Sequence, residues 1–258
     1  MGAEHGGEDG LDPTGGAGLT RSLALDGWRP MAFGRRPARS IRNPVMEPLW
    51  PGRRVLVHVA GSSSGPGSPA PVIHISDEAG LELAGHPDLQ AALRRSAQET
   101  DLVLDGYLLA LPPLGAPLAV KPVDLDVPGV GAATRHLFLG SRRGGRRPTA
   151  GTSTLTDLSR VDAAPDGGVL SFVAIDLLAL DGESLVDVPL QERKRLLDAV
   201  VLVGELVRCT PHVRLPAANW HRQWRTLGFS EMAVKDANSR YYPGESSSDW
   251  SIARIPER

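Results

Sequence analysis

Cysteine, aromatic side chains and excess charge are all scarce in this chain, and so are long apolar runs. Of 258 residues only Cys209 is a cysteine. That excludes an internal disulfide and a cysteine-based zinc site, and leaves a half-buried, inert thiol as the expectation. Lys and Arg number 28 against 30 Asp and Glu, for a net charge of −2 and a pI near 6.4. No global field therefore draws the chain to nucleic acid, and any such contact must come from a local patch. No stretch approaches the roughly 20 apolar residues of a membrane span. The N-terminus has neither the basic start nor the apolar core of a signal peptide, so a cytoplasmic protein without membrane contact is expected. Aromatics make up 5% of the chain, yet hydrophobic residues reach 41%, enough for a sizeable core.

The hydrophobic centre runs from Phe172 to Leu197, FVAIDLLALDGESLVDVPLQERKRLL. Phe172 to Leu180 has strand length and no helical period. Asp181-Gly182 breaks it as a turn, since both residues tolerate positive φ. Helical spacing starts near Pro189, which suits a first turn. Leu196, Leu197, Val200 and Val201 then form an apolar stripe facing a core.

Around this centre the chain divides into a tail, residues 1–43, and one domain, residues 44–258. The tail is rich in Gly, Asp and Glu to about residue 27 and is expected to be disordered. Arg29, Arg35, Arg36, Arg39 and Arg42 follow. They read either as a DNA-backbone arm or as a solvated linker. In the domain, Val55–Val59 reads as a strand entering Ala60-Gly61, with a Ser/Gly/Pro loop and the strand PVIHIS after it. A helix is expected over 86–97 and a strand over 101–111. About 112–168 is too long and irregular for an ordinary connection and is expected to be a mobile insertion. It holds a short strand near His136–Leu139 and a basic tract of Arg142, Arg143, Arg146 and Arg147, candidates for phosphate contact. Val213–Leu215 is expected to be extended. The spacing predicts a helix over 217–227 with Asn219 as cap and Gly228 as stop. Two strands, 229–235 and 250–254, complete the chain.

Four segments in order carry a family likeness: DLVLDGYLLAL at 101–111, the central unit, GFSEMAVKDANSRYYPG at 228–244 and SDWSIAR at 248–254. Together with the strand at Val55 they resemble the adenylation (nucleotidyltransferase) domain of bacterial ATP-dependent DNA ligases. The resemblance implies an α+β, ATP-grasp-like nucleotidyltransferase fold, with antiparallel sheets flanked by helices. Such ligases carry an OB-fold after the last motif; with Arg258 a few residues past Arg254, none is expected here.

The resemblance also implies a chemistry: a lysine amine attacks the α-phosphorus of ATP, assisted by magnesium. In the family the nucleophile lies in K-x-D-G. Aligned on Gly61, its place is taken by His58, the aspartate's by Ala60 and a preceding glutamate's by Leu56. Strand alternation puts 56, 58 and 60 on one face and Val55, Val57 and Val59 on the other. Imidazole can be adenylylated, but no nearby carboxylate is evident to orient His58. The D-G-E segment reads Asp105-Gly106-Tyr107, and tyrosine offers a hard cation no carboxylate. Ile175 stands before Asp176 where an aromatic would stack on adenine. Ser230 takes the place of a metal-binding glutamate. Glu231 and Lys235 share the opposite strand face, expected to point away from the pocket. In W-x-K-x-K, Trp250 is kept, Ile252 replaces the first lysine and Arg254 the second.

Asp105, Asp176 and Arg254 are thus the nucleotide-binding candidates, His58 stands in the nucleophile's place, and no metal ligand is expected. One reading is a catalytically silent ligase relative with a nucleotide-, DNA- or protein-binding role in DNA repair. Its partners would be DNA, through the arginine tracts, or repair proteins. As an interaction module its old pocket would be filled, with Tyr107, Leu56 and Ile252 packed together. The alternative is an active ligase or nucleotidyltransferase using ATP and magnesium, with His58 or an unaligned lysine such as Lys121 as nucleophile and a partner supplying the clamp.

Overall fold

The computed structural model describes residues 27–60, 70–98, 100–112 and 168–257. The expected insertion strand and the tract of Arg142, Arg143, Arg146 and Arg147 lie outside these residues, as does Lys121. Two strands, β1 (Ala32–Phe33) and β2 (Pro44–Pro48), precede β3 (Arg53–Ala60) and β4 (Val72–Asp77). Helix α1 (Pro87–Ala97) leads to β5 (Leu102–Leu111), β6 (Val169–Leu180) and the short β7 (Glu183–Ser184). Then come α2 (Leu190–Val200), β8 (Val207–Cys209), α3 (Ala218–Thr226), β9 (Glu231–Asp236), β10 (Ser246–Ser247) and β11 (Trp250–Arg254).

The larger sheet has the order β4-β3-β5-β6-β7, all antiparallel, with β8 added parallel to β6. A second, three-stranded antiparallel sheet has β9 at its centre, between β11 and β2. β1 and β10 form a small parallel pair. The sheets and helices match the expected α+β organisation.

Strand β3 alternates as the sequence implies. Val55, Val57 and Val59 enter a core shared with Leu89, Leu93, Phe172, Leu197 and Val201, so α1 and α2 cover that face. Leu56 points the other way, into a cluster with Met31, Val103, Leu178, Tyr241 and Trp250. β6 reads as a continuous apolar run because it is buried on both faces. Its register against β5 slips twice, bracketing Asp176, which still faces Asp105. Such bulges re-aim the side chains beside them.

Several local expectations shift. α1 begins at Pro87 rather than 86, because His86 adopts a left-handed backbone (φ 60°) that cannot continue a helix. α3 begins at Ala218 with no side-chain cap, so Asn219 lies inside it. That helix buries one residue, Trp224, and so rests on a single aromatic anchor. β9 starts at Glu231, two residues later than predicted. The basic stretch at 29–42 is anchored: Met31 and Ile41 are buried, whereas Arg35, Arg39 and Arg42 are exposed.

At Gly106 of β5 a Cβ would run into the Val173 carbonyl and the Phe172 ring of β6. Neither can yield without moving the sheet. Gly106→Ala is expected to destabilise the fold by about 1–3 kcal/mol, read as a lower urea midpoint with an unchanged m-value.

Candidate functional site

Three of the positions singled out in the sequence converge on the face of the large sheet that meets the smaller one. Leu56, Asp105 and Asp176 are successive register partners across β3, β5 and β6 and so share one face. Both carboxylates are fully buried. Arg54, two residues before Leu56 on the same face, donates two hydrogen bonds to Asp105, from Nε at 3.0 Å and from an Nη at 2.6 Å. Tyr241 adds its hydroxyl to the same carboxylate at 2.9 Å and accepts the Met31 backbone N–H at 2.8 Å. The Arg54 guanidinium also lies 5.3 Å from the Phe33 ring centroid and 5.6 Å from that of Trp250. Burial by itself would lower the Arg54 pKa, but the Asp105 carboxylate beside it raises it well above its ordinary value.

Asp176 is neutralised separately. Arg193 of α2 donates from Nε at 2.9 Å and from an Nη at 2.8 Å, a two-pronged pair with neither side chain exposed. The third guanidinium nitrogen donates to the carbonyls of Val188 and Ser239.

A third charge centre faces these from the smaller sheet. Glu47 of β2 is buried with Lys235 Nζ 3.0 Å from one carboxylate oxygen and Lys194 Nζ 2.7 Å from the other. The Lys194 contact is an ion pair without a directed hydrogen bond. Lys235 is fully buried and its amine sits 4.0 Å from the Trp250 ring centroid. Burial alone would raise the Glu47 pKa, but the two lysine charges hold it at about 2. Lys235 falls to about 8: burial lowers it, Glu47 restores part, and Lys194 opposes the second positive charge.

Lys235 therefore points into the inter-sheet space, contrary to the orientation expected for the Glu231–Lys235 face. The reason is tertiary. The register partners of Lys235 are Val45 and Trp250, and this face of the small sheet turns toward the large one. Glu231, at the outer end of the same face, lies opposite the exposed Arg254. Its carboxyl is raised by burial and only partly restored by that arginine. Ser230 is exposed.

The structure thus brings Asp105 and Asp176 together and leaves Arg254 at the edge. Tyr107, Leu56 and Ile252 do not form one group: Tyr107 belongs to a cluster with Trp50, Val173 and Ile175, and Leu56 to the one around Trp250. His58 lies farther out along β3, opposite His74 of β4. Its Nε2 is 3.4 Å from Asp101, a carboxylate that sequence reading did not find. Cys209 is a half-buried free thiol, raised to about 11 chiefly by burial.

Sequence reading also passed over Arg54, Glu47, Arg193, Lys194 and Tyr241. Three of these carried a usable signal. Arg193 and Lys194 stand at helical spacing between Leu190 and Leu197, on the face that α2 buries, where a charge calls for a partner. Arg54 shares the face of Leu56 and His58 by strand alternation.

No family model and no curated protein matches the sequence. Among solved structures the fold is similar to mycobacterial DNA ligase D complexed with ATP and MES, with TM-score 0.57 and 20% identity, over 89% of this chain and 61% of that one. It is also similar to the ligase domain of M. tuberculosis LigD, with TM-score 0.56 and 20% identity, over 89% of this chain and 60% of the other. This chain therefore shares the nucleotidyltransferase fold of DNA ligases and spans less than two thirds of the length of either of these structures.

The Glu47 cluster makes stability depend on pH in two windows. Glu47 has a folded pKa of about 2 against an ordinary 4.5, so its contribution is complete above 4.5 and is lost as pH falls from there toward 2. Lys235 acts with the same sign in a second, alkaline window. With about 8 in the fold against an ordinary 10.5, the unfolded chain binds the extra proton between those values, and stability from this group rises across that window. Urea midpoints at a series of pH values should fall on the acid side and gain a Lys235-dependent rise on the alkaline side, absent in Lys235→Met. Glu47→Gln leaves two buried ammonium groups without a counter-charge and should cost about 3–5 kcal/mol.

Proposed function

We propose that this chain is a catalytically silent form of the ligase nucleotidyltransferase fold, acting as a binding module rather than joining DNA ends. One observation carries this reading: the cationic groups gathered between the sheets are consumed internally, Arg54 by Asp105, Arg193 by Asp176, and Lys194 and Lys235 by Glu47. A nucleophilic lysine must present a free amine to an incoming phosphorus, whereas Lys235 is fully buried beneath Trp250. ATP with magnesium does not fit the residues present. Magnesium takes oxygen ligands in an octahedral shell and keeps several waters, and the three carboxylates here are buried against cations. No step through either group is derived.

A place in DNA repair rests on the likeness to ligases, and DNA itself would be met through exposed arginines. Arg35, Arg39 and Arg42 are exposed and enter none of the ion pairs among the described residues, which suits them to phosphate contact.

A second reading has one observation behind it. Asp101 beside His58 supplies the orienting carboxylate that a histidine nucleophile would use. Incubation with α-labelled ATP and magnesium or manganese, followed by denaturation, separates the two. The silent module gives no covalent adenylate and no ATP-dependent thermal shift. A labelled band abolished by His58→Ala would establish the second reading instead. Gel shifts with nicked duplex at low and moderate salt should show binding that weakens with salt and is reduced when Arg35, Arg39 and Arg42 are changed together to Ala.

A further inference from the structure

The solvent face of α3 is explained neither by the two sheets nor by the buried charges. The helix buries only Trp224. One turn before it Trp220 is 40% exposed, with its ring centroid 6.5 Å from that of Trp224 and the two planes tilted by 44°. The inner tryptophan anchors the helix, and the outer one leans on it with part of its ring open to water. Tryptophan and arginine are the side chains most enriched where binding energy concentrates.

The residues around Trp220 share one electrostatic character. At the helical repeat, the surface that α3 turns away from Trp224 runs from Trp220 through Gln223 and Asn219 to Arg222 and the half-buried Arg225. The helix contains no acidic residue. Neither arginine enters an ion pair among the described residues. Arg225 Nε is buried without a hydrogen-bond partner among those residues. His221, one turn before Arg225, has its pKa lowered by burial and then by Arg225, and no carboxylate acts in the other direction. The positive charge here is thus uncompensated within the described fold, unlike that of Arg54, Arg193, Lys194 and Lys235.

We infer that α3 binds a single strand of DNA, with an unpaired base stacked on Trp220 and the sugar–phosphate backbone crossing the helix to Arg222 and Arg225. An open indole face accepts any base, because every base has a π face, but the base must first be free of its stacked neighbours in a duplex. Guanidinium groups match phosphate oxygens, and the amides of Asn219 and Gln223 offer neutral donors along the way. Arg35, Arg39 and Arg42 offer charge without a ring, so they suit the backbone of either form, whereas α3 selects the single strand. That the strand is DNA rather than RNA rests on the DNA-binding role proposed above. The need for an unpaired base rests on Trp220 alone.

The test measures binding of oligothymidylate to the full chain at low salt, by anisotropy of a labelled strand and by quenching of tryptophan emission with an unlabelled one. The expected result is salt-dependent binding that a blunt duplex of equal length competes about tenfold less well than the single strand. Trp220→Ala and Trp220→Leu should each weaken binding by about tenfold, the leucine keeping an apolar cover over Trp224. Trp220→Phe should keep most of the affinity and lose most of the quenching, a split that a merely structural tryptophan would not give. Arg222→Ala should lower the slope of log affinity against log salt by about 0.7. If Trp220→Ala does not fold, as judged by thermal unfolding, Trp220→Leu and Trp220→Phe decide the matter. Wild-type affinity in Trp220→Leu, or a duplex that competes as well as the single strand, would overturn the inference. So would binding of polyglutamate in place of oligothymidylate, which would assign α3 to an acidic protein, or tighter binding of oligouridylate, which would assign it to RNA. Adenylate formation would refute catalytic silence and leave the comparison at Trp220 unchanged.

Discussion

A carboxylate buried between two ammonium groups is the constraint on which the inter-sheet region depends. Glu47 cannot be taken out of water alone, since an isolated buried charge costs many kcal/mol. Lys194 arrives from α2 and Lys235 from β9, so one side chain of β2 ties together a helix and two strands of separate chain regions. Burial holds Lys235 below its ordinary pKa, and the one positive charge that the pairing leaves in excess adds to that. The same logic repeats at Asp105 with Arg54 and at Asp176 with Arg193. The Asp105 pair is held within the large sheet, whereas the Asp176 and Glu47 pairs are satisfied only if α2 keeps its place against the large and the small sheet.

The aromatic side chains complete that arrangement. Trp250 lies beside both Arg54 and Lys235, and its ring nitrogen donates to Ser239 at 3.0 Å. Tyr241 packs edge-on against it while holding Asp105. The segment around Met31 closes over this group: its backbone is held by Tyr241 and its side chain is fully buried. What could have been an open cleft is therefore a core in which charged and aromatic groups alternate. Such a core favours a single arrangement because a partly satisfied polar network is worse than an apolar one. This rigidity is the physical basis for reading the fold as a scaffold.

A good part of the organisation was legible from residue order. The β3 faces separated by alternation, Asp181-Gly182 formed its turn with positive φ at both residues, and the stripe of α2 packed where its spacing indicated. Asp105 and Asp176 were picked out by likeness to a family pattern, and they do face each other. The partners were not legible. Arg54 is 51 positions from Asp105, Tyr241 is 136 from it, and Glu47 is 188 from Lys235. No local pattern connects residues so far apart. The orientation of β9 was misread for the same reason: alternation says which residues share a face, not which face meets the other sheet.

By itself the sequence determined the strands, the helices and the apolar faces, because these follow from spacing and side-chain type along a continuous segment. Only the tertiary structure decided that Lys235 points inward, that each buried carboxylate has its own cation, and that Asp101 and His74 flank His58. Those outcomes depend on strand register, on the two slips in β6 and on the stacking of one sheet over another, and each of these is set by contacts between segments that local sequence leaves unrelated.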